Sequence, residues 1–93
     1  MSNYRRGADF ERRVMAHLGR TGYATLRSAG SHSPADVVAV RRGEVLFVQC
    51  KRNGRLDPDE WNDFWEFCGK AGALPIMAHV GPQGRGISYK RLL

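Results

Sequence analysis

The chain has 93 residues, which fits a single domain spanning 1–93. A chain this short buries a smaller share of its surface than a larger protein does, which favours self-association. With 42% hydrophobic and 26% charged residues, the composition excludes a disordered tail. Lys and Arg outnumber Asp and Glu by 15 to 9, giving a net charge of +6, and twelve of the cations are Arg. Because Arg binds phosphate in a bidentate manner, nucleic acid is a candidate partner.

The sequence contains neither a signal peptide nor an apolar stretch of ~20 residues, which predicts an intracellular, cytoplasmic protein without a membrane partner. Cys50 and Cys68 lack both CxxC spacing and His partners placed as in a zinc site. Because both cysteines lie in apolar stretches, we expect buried free thiols in a reducing compartment.

The first third of the chain predicts a helix, a short strand and a loop. Apolar residues at helical spacing predict a helix over residues 8–21, and Gly22 provides its end. Residues 23–27 are typical of a strand. The segment 28–34 is rich in Gly and Ser, is typical of a loop, and leads the chain to Asp36.

Two apolar runs, 37–40 and 45–48, predict the strands of a hairpin whose turn is formed by Arg42 and Gly43. Both runs are apolar at every position rather than at alternate positions. We therefore expect both faces of the hairpin to be buried, with a helix covering each face.

A second helix is predicted from Pro58 to about Lys70. Asp57 is placed as its N-cap, Pro58 as its first helical residue, and Glu60 completes a capping-box pattern. Either Gly69 or Gly72 ends this helix. Its position after the hairpin makes it the natural cover for the hairpin's second face.

Two further strands are predicted at 76–80 and 87–91. The strand at 76–80 follows a helical crossover, so we expect it to run parallel to the strand that precedes the helix. The order helix, three strands, helix, two strands predicts an α/β fold with a mixed central sheet flanked by helices.

The second helix carries four aromatic residues, Trp61, Phe64, Trp65 and Phe67. Packing into the core is their default role. However, Trp65 and Phe67 diverge by ~200° around the helix axis, so one thin sheet does not easily bury all four. We predict that the aromatic side chains left unburied by the sheet lie in a homodimer interface.

The hairpin turn determines which polar residues meet at the hairpin's open end. If Arg41 pairs with Glu44 across a two-residue turn, Asp36 falls opposite Gln49. Directly opposed residues share a face of the sheet, and Lys51, two residues beyond Gln49, shares it too. The sequence thus predicts an acid, an amide and an ammonium group on one face.

Such a set suits metal-assisted cleavage of a phosphodiester. Asp36 and the amide oxygen of Gln49 can bind Mg²⁺, and Lys51 can stabilise the charge that develops on the phosphate. Taken singly, Asp36 is better explained as a turn residue and Lys51 as a solvated strand end. Their shared face and the flanking loop together favour the active-site interpretation.

Glu11 lies at the edge of the first helix's apolar stripe, where it can face the end of the sheet as a second carboxylate. Alternatively, Glu11 is an acid in the first turn that interacts with the helix dipole. Arg12, Arg27 and Arg52 can surround the same phosphate or serve as ordinary surface charge. Ser31, in the loop, can donate a hydrogen bond to phosphate or act as a turn residue.

Four segments carry a resemblance to a known family: 7–12 (GADFER), 27–31 (RSAGS), 34–39 (PADVVA) and 48–51 (VQCK). In this order they resemble the archaeal-type Holliday junction resolvases of the PD-(D/E)xK nuclease superfamily, and similar proteins occur in phages. The resemblance implies a restriction-endonuclease-like fold. It also implies a homodimer that binds a four-way DNA junction and makes two symmetric nicks with Mg²⁺ or Mn²⁺.

By position, the resemblance implies roles for individual residues. Glu11 matches the family's helix carboxylate, Asp36 its metal-binding aspartate and Lys51 its catalytic lysine. Basic residues near the scissile phosphate are matched by Arg12 and Arg27, and the family's loop serine by Ser31.

Two positions depart from the family pattern. Ala35 separates Pro34 from Asp36, and Gln49 stands where the family usually has Glu. An amide can bind a metal through its oxygen, but it removes one negative charge from the site. Two alternatives to a junction resolvase therefore stay open: a nicking or restriction-like nuclease acting on duplex DNA, and a junction-binding protein with a decayed active site.

Overall fold

A computed structural model of the chain describes residues 3–28 and 33–92. The elements in chain order are helix α1 (Asn3–Arg20), strands β1 (Ala24–Arg27), β2 (Val37–Arg41) and β3 (Glu44–Cys50), helix α2 (Pro58–Ala71), strand β4 (Leu74–Val80), a 3₁₀ turn (Pro82–Gly84) and strand β5 (Ile87–Arg91). The predicted order of helices and strands is confirmed.

The five strands form one mixed sheet in the order β1-β2-β3-β4-β5. Neighbouring strands are antiparallel except β3 and β4, which are parallel and are connected by α2. The predicted parallel crossover is therefore confirmed. In the β2–β3 hairpin, Arg41 pairs with Glu44 and Val37 with Val48, as the turn at Arg42 and Gly43 requires.

The two helices cover opposite faces of the sheet. Phe10, Val14 and Leu18 of α1 are buried against residues of β2 and β3 such as Val37 and Val48. On the other face, α2 buries a second cluster formed by Ala35, Phe64, Cys68, Met77 and Leu92. The predicted α/β fold with a helix on each side of a mixed sheet is confirmed.

Several predicted boundaries shift. Helix α1 begins at Asn3, five residues before the predicted start at residue 8. The helix includes Gly7, since a glycine inside a helix lowers its stability without necessarily ending it. Strand β3 continues to Cys50, so Gln49 lies inside the strand rather than beyond it. Strand β4 begins at Leu74 instead of residue 76.

Helix α2 begins and ends at the predicted caps. Asp57 has the extended backbone of an N-cap, although its side chain makes no capping hydrogen bond. At the other end, Gly72 adopts a left-handed conformation with φ of 67°, and its N–H donates to the carbonyls of Cys68 and Gly69. Of the two glycines predicted to end the helix, Gly72 does so.

The prediction that both faces of the hairpin are buried is wrong for the face on the side of α2. Val40 of β2 is 44% exposed there, and Leu26 of the adjoining β1 is 70% exposed. Helix α2 connects β3 to β4, so it packs above these strands and leaves β1 and β2 uncovered. We call the uncovered surface formed by Leu26, Val38, Val40 and Val45 the open sheet face.

Both cysteines are free thiols, as predicted. Cys68 is buried in the α2 cluster and Cys50 is half-buried. Burial raises the pKa of Cys68 to about 11, so this thiol stays protonated at neutral pH. In the part of the chain that the structure describes, neither α1 nor α2 has the combination of length and hydrophobicity that crossing a membrane requires.

Candidate active site

The backbone of β3 holds Asp36 at the open end of the hairpin. The Asp36 N–H donates to the carbonyl of Val48, the residue that also pairs with Val37, at 2.9 Å. The Cys50 N–H donates to Asp36 Oδ2 at 2.8 Å. These two hydrogen bonds hold the carboxylate in place. The observed β2–β3 pairs end at Val37 and Val48, so the predicted pair of Asp36 and Gln49 is not among them.

Gln49 and Lys51 follow along the same chain segment. Gln49 is 7% exposed, and no hydrogen bond joins its side-chain amide to another described residue. The Lys51 N–H donates to the Ala78 carbonyl at 3.0 Å, which anchors the end of β3 to β4. The Lys51 ammonium lies 2.8 Å from Glu60 Oε2 on α2.

These groups line one pocket of about 480 Å³. Its lining residues are Glu11, Ser33, Pro34, Asp36, Gln49, Cys50, Lys51, Glu60 and Asp63. The structure therefore brings together all four residues predicted as catalytic, although they come from three separate segments of the chain.

Glu11 reaches the pocket from α1 and is paired with Arg27 of β1. The Arg27 guanidinium donates to Glu11 Oε1 at 3.0 Å, and the two side chains are only 16% and 19% exposed. Removal of either partner from such a shielded pair would leave an uncompensated charge. The predicted placement of Glu11 at the edge of the buried stripe, facing the end of the sheet, is confirmed.

The electrostatics of the pocket act on Asp36. Burial, with smaller effects of the Glu11 and Glu60 carboxylates, raises the pKa of this carboxyl to about 6. The Cys50 N–H and the Lys51 ammonium act in the opposite direction. An acid whose pKa is perturbed in this way inside a cleft is typical of a functional site.

Sequence reasoning missed two acids of the pocket, Glu60 and Asp63 of α2. It interpreted Glu60 as part of the helix cap and did not consider Asp63. The two residues lie one turn apart on the same side of α2, so their spacing was a usable signal. A hydrogen bond from Lys51 lowers the pKa of Glu60 and keeps this carboxylate charged.

None of the three predicted DNA-contacting arginines is among the residues that line the pocket. Arg12 points to solvent and forms a 3.2 Å ion pair with Asp9. The Arg52 guanidinium lies 5.9 Å from the centre of the Phe10 ring. Both are exposed, whereas Arg27 adjoins the pocket through Glu11.

The loop that precedes Asp36 is described only in part. The predicted contact residue Ser31 lies outside the described residues. Ser33 is described: it lines the pocket, and its hydroxyl oxygen accepts the Ala35 N–H at 3.1 Å. This bond shapes the turn that delivers the chain to Asp36.

The chemistry of the pocket fits Mg²⁺. The described residues contain no group of three or more His, Cys, Asp or Glu side chains placed to hold a metal. Carboxylates near Asp36 and the amide oxygen of Gln49 offer oxygen ligands only, and Mg²⁺ commonly binds through one or two carboxylates while keeping several waters. The donor set is therefore consistent with a hydrated, hard cation.

A larger cavity of about 680 Å³ lies on the opposite side of the start of α2. Its lining includes the apolar residues Trp61, Leu56 and Met77 and the basic residues Arg55 and Lys90. None of the residues predicted as catalytic lines this cavity, so it is separate from the candidate active site.

Comparison with known proteins assigns the family. The family model described as archaeal Holliday junction resolvase (hjc) matches residues 2–86, which is nearly the whole chain. The chain belongs to this family. The match includes all four residues predicted as catalytic.

Two relatives of the archaeal Holliday junction resolvase family show the extent of the likeness. The crossover junction endodeoxyribonuclease Hjc of Methanocaldococcus jannaschii is 44% identical over 52 residues, which are 56% of this chain and 38% of that protein. The solved structure of Archaeoglobus fulgidus Hjc, a Holliday junction resolvase, superposes with a TM-score of 0.78 at 26% identity, covering 92% of this chain and 72% of the other. The resemblance predicted from the four sequence segments is thus confirmed, as is the fold.

Proposed function

We propose that this chain is a divalent-cation-dependent endodeoxyribonuclease that resolves four-way DNA junctions by paired, symmetric nicks. The observation that carries the proposal is the meeting of Glu11, Asp36, Gln49 and Lys51 in one pocket. Membership of the archaeal Holliday junction resolvase family supports the same activity and substrate. So do the names of its relatives, a crossover junction endodeoxyribonuclease and a Holliday junction resolvase.

Each residue of the pocket has a proposed role. Asp36, the amide oxygen of Gln49 and Glu11 would hold Mg²⁺, for which Mn²⁺ can substitute. When bound, the ion supplies Lewis-acid activation of the phosphate and of a water nucleophile. The Lys51 ammonium would stabilise negative charge on the phosphate, and Arg27, paired with Glu11 at 3.0 Å, would orient that carboxylate.

DNA would be held mainly through its phosphates. The net charge of +6 supplies a general attraction. Arg12 and Arg52 are exposed outside the pocket and would contact the arms of the junction, whereas Arg27 and Ser31 would contact DNA close to the scissile phosphate. Because phosphate contacts release counterions, junction binding should weaken steeply as salt rises.

A homodimer suits this substrate. Two symmetric nicks require two active sites related by a two-fold axis, which an isologous interface provides. The open sheet face offers an apolar surface for that interface, with Leu26 at 70% exposure. Phe67 borders it, since its ring lies 5.3 Å from that of Phe47, which pairs with Val38.

The test is cleavage of an end-labelled immobile four-way junction by the full chain with Mg²⁺, Mn²⁺ or a chelator, beside a linear duplex of equal length. We expect paired nicks in the junction with either metal and none with chelator. The Asp36→Ala variant should lose cleavage while it retains junction binding. Equal cleavage of the duplex would replace the resolvase proposal with a duplex-nicking nuclease.

A second function is favoured by Gln49, the neutral residue at a position where a carboxylate would bind metal more strongly. In this alternative the chain binds four-way junctions without cutting them. Tight, salt-sensitive junction binding with no nicking in either metal would support the alternative and exclude the nuclease.

A further inference from the structure

Gln49 leaves the candidate active site short of one negative charge. An amide oxygen can bind a divalent cation, but it is neutral. Glu11, the carboxylate brought by α1, is already held at 3.0 Å by the shielded Arg27. Arg27 therefore offsets the negative charge that Glu11 brings to the proposed cation site, and a further acid would restore it.

Glu60 enters the pocket from the first turn of α2. Its Oε2 lies 2.8 Å from the Lys51 ammonium, so the helix and the end of β3 meet at this pair. Glu60 is also one of the charges that act on Asp36, after the larger effect of burial on that pKa. Asp63 lines the same pocket but is not among those charges.

The Glu60–Lys51 pair has little to contribute to the fold. The two side chains are 40% and 32% exposed, and ion pairs in such positions stabilise proteins weakly. Its effect is instead to keep a charged carboxylate at the pocket. Hydrogen bonding with Asp57, the N-cap residue of α2, also lowers the pKa of Glu60, after the larger effect of Lys51.

The side chain of Gln49 points to a ligand independently of the acids. It is 7% exposed, it lines the pocket, and no other described residue forms a hydrogen bond with its amide. Among the described residues no fully buried side-chain nitrogen or oxygen lacks a hydrogen-bond partner, so the Gln49 amide is open to the pocket. A hydrated cation beside Asp36 would provide one for the amide oxygen.

We infer that Glu60 supplies the anionic oxygen that Gln49 lacks, so that it joins Asp36, Glu11 and the amide oxygen of Gln49 in holding the divalent cation of this pocket. The inference rests on the proposed metal-dependent function and adds to it a ligand from α2. It moves one carboxylate of the site from strand β3 to the helix on the same face of the sheet.

The experiment measures Mn²⁺ binding to the full chain without DNA, from the electron paramagnetic resonance signal of free Mn²⁺. We expect Glu60→Gln to weaken binding by roughly tenfold or more, the size of effect seen when metal sites lose a supporting group. Glu66→Gln is the matched control, because it removes the same charge from an exposed position of α2 outside the pocket. It should bind Mn²⁺ as the wild type does.

A rescue variant tests the exchange of positions directly. Gln49→Glu combined with Glu60→Gln returns the carboxylate to β3 and should recover most of the wild-type affinity for Mn²⁺. Circular dichroism and thermal unfolding of each variant establish that it is folded. Failure of this double variant to bind better than Glu60→Gln alone would overturn the inference.

A purely positioning role for Glu60 predicts a different result. If Glu60 only holds Lys51 in place, Glu60→Gln should have no effect on Mn²⁺ affinity in a Lys51→Met background. If Glu60 binds the cation, the loss of affinity persists in that background. Persistence supports the inference, and disappearance overturns it.

Junction cleavage by the wild type, scored separately, distinguishes this inference from the proposed function. If the wild type cleaves junctions but Glu60→Gln binds Mn²⁺ as tightly as the wild type does, the inference fails and the function stands. If Glu60→Gln weakens Mn²⁺ binding but the wild type cuts no junction, the function fails and the metal site stands.

Discussion

At the scale of single residues, Asp36 combines a stability cost with a chemical role. Its carboxylate is held by the Cys50 N–H at 2.8 Å, yet burial raises its pKa to about 6. The folded state thus binds the Asp36 proton more tightly than the unfolded chain does. Stability should consequently fall as pH rises from about 4 to about 6, and the loss persists at higher pH.

Because ionisation of Asp36 lowers the stability of the folded state, the Asp36→Asn substitution should raise it. The amide cannot ionise, so the variant should be more stable than the wild type by roughly 1 to 3 kcal/mol at about pH 8 without metal. Near pH 4 and below the difference should shrink, because Asp36 is then protonated in the folded protein. Urea unfolding across this pH range measures it. A variant less stable than the wild type at about pH 8 would contradict the assigned cost of burial.

The same carboxyl predicts how activity depends on pH. In the proposed site Asp36 binds Mg²⁺, and a metal ligand must be deprotonated, so Mg²⁺ would compete with the proton on Asp36. Cleavage of junctions at a limiting Mg²⁺ concentration should therefore rise as pH increases through about 6, and the rise should move to lower pH as Mg²⁺ is increased. Nicking rates at several Mg²⁺ concentrations test this, and a profile that ignores Mg²⁺ would argue against Asp36 as a ligand.

At the scale of elements, α2 serves both the core and the site. One side of this helix buries Phe64 and Cys68, while Glu60 and Asp63 line the pocket. The end of the helix depends on backbone geometry more than on composition. Gly69 and Gly72 look equivalent in sequence, but only Gly72 has a positive φ, of 67°.

The two glycines should therefore respond oppositely to alanine. Gly72→Ala places a Cβ in a left-handed conformation and should destabilise the protein by about 1 to 2 kcal/mol. Gly69→Ala lies within the helix, where a Cβ would meet nothing within 4 Å, and should stabilise it by about 0.5 to 1 kcal/mol. Thermal unfolding of both variants measures these changes in stability. Equal changes in the two variants would contradict the observed end of α2 at Gly72.

At the scale of the whole molecule, the sheet is wider than the helix that covers one side of it. Helix α1 buries one face, but α2 leaves the open sheet face of Leu26, Val38, Val40 and Val45 without a cover. An exposed apolar patch of this kind often marks an association surface. Two copies meeting through it would supply the symmetry that paired nicking needs.

Leu26→Asp tests this proposed interface. The charge would lie within the apolar contact, so we expect a monomer in sedimentation velocity, with junction binding weakened because the two sites are no longer linked. Trp65→Gln is the control, since Trp65 is 46% exposed on α2, away from the open sheet face. If Trp65→Gln dissociates the dimer and Leu26→Asp does not, the interface lies on the helix instead.

The elements were predictable because their signals are local. Helical spacing, the caps at Asp57 and Gly72 and the turn at Arg42 and Gly43 act between residues close in the chain, and each predicted element is present. From the turn, the register follows by counting: the pairs from Arg41–Glu44 to Val37–Val48 are as predicted, and Asp36 and Gln49, the next predicted pair, both line the pocket. The family segments extended that pair to Glu11 and Lys51.

By itself, then, the sequence determined the fold class, the hairpin register and the four residues that meet in the pocket. Only the tertiary structure decided that Arg27 pairs with Glu11, that Glu60 faces Lys51 and that the sheet remains open at Leu26. These contacts join segments that are remote in the chain. They depend on where each helix lies across the sheet, and periodicity predicts that a helix has an apolar face but not which strands the face covers.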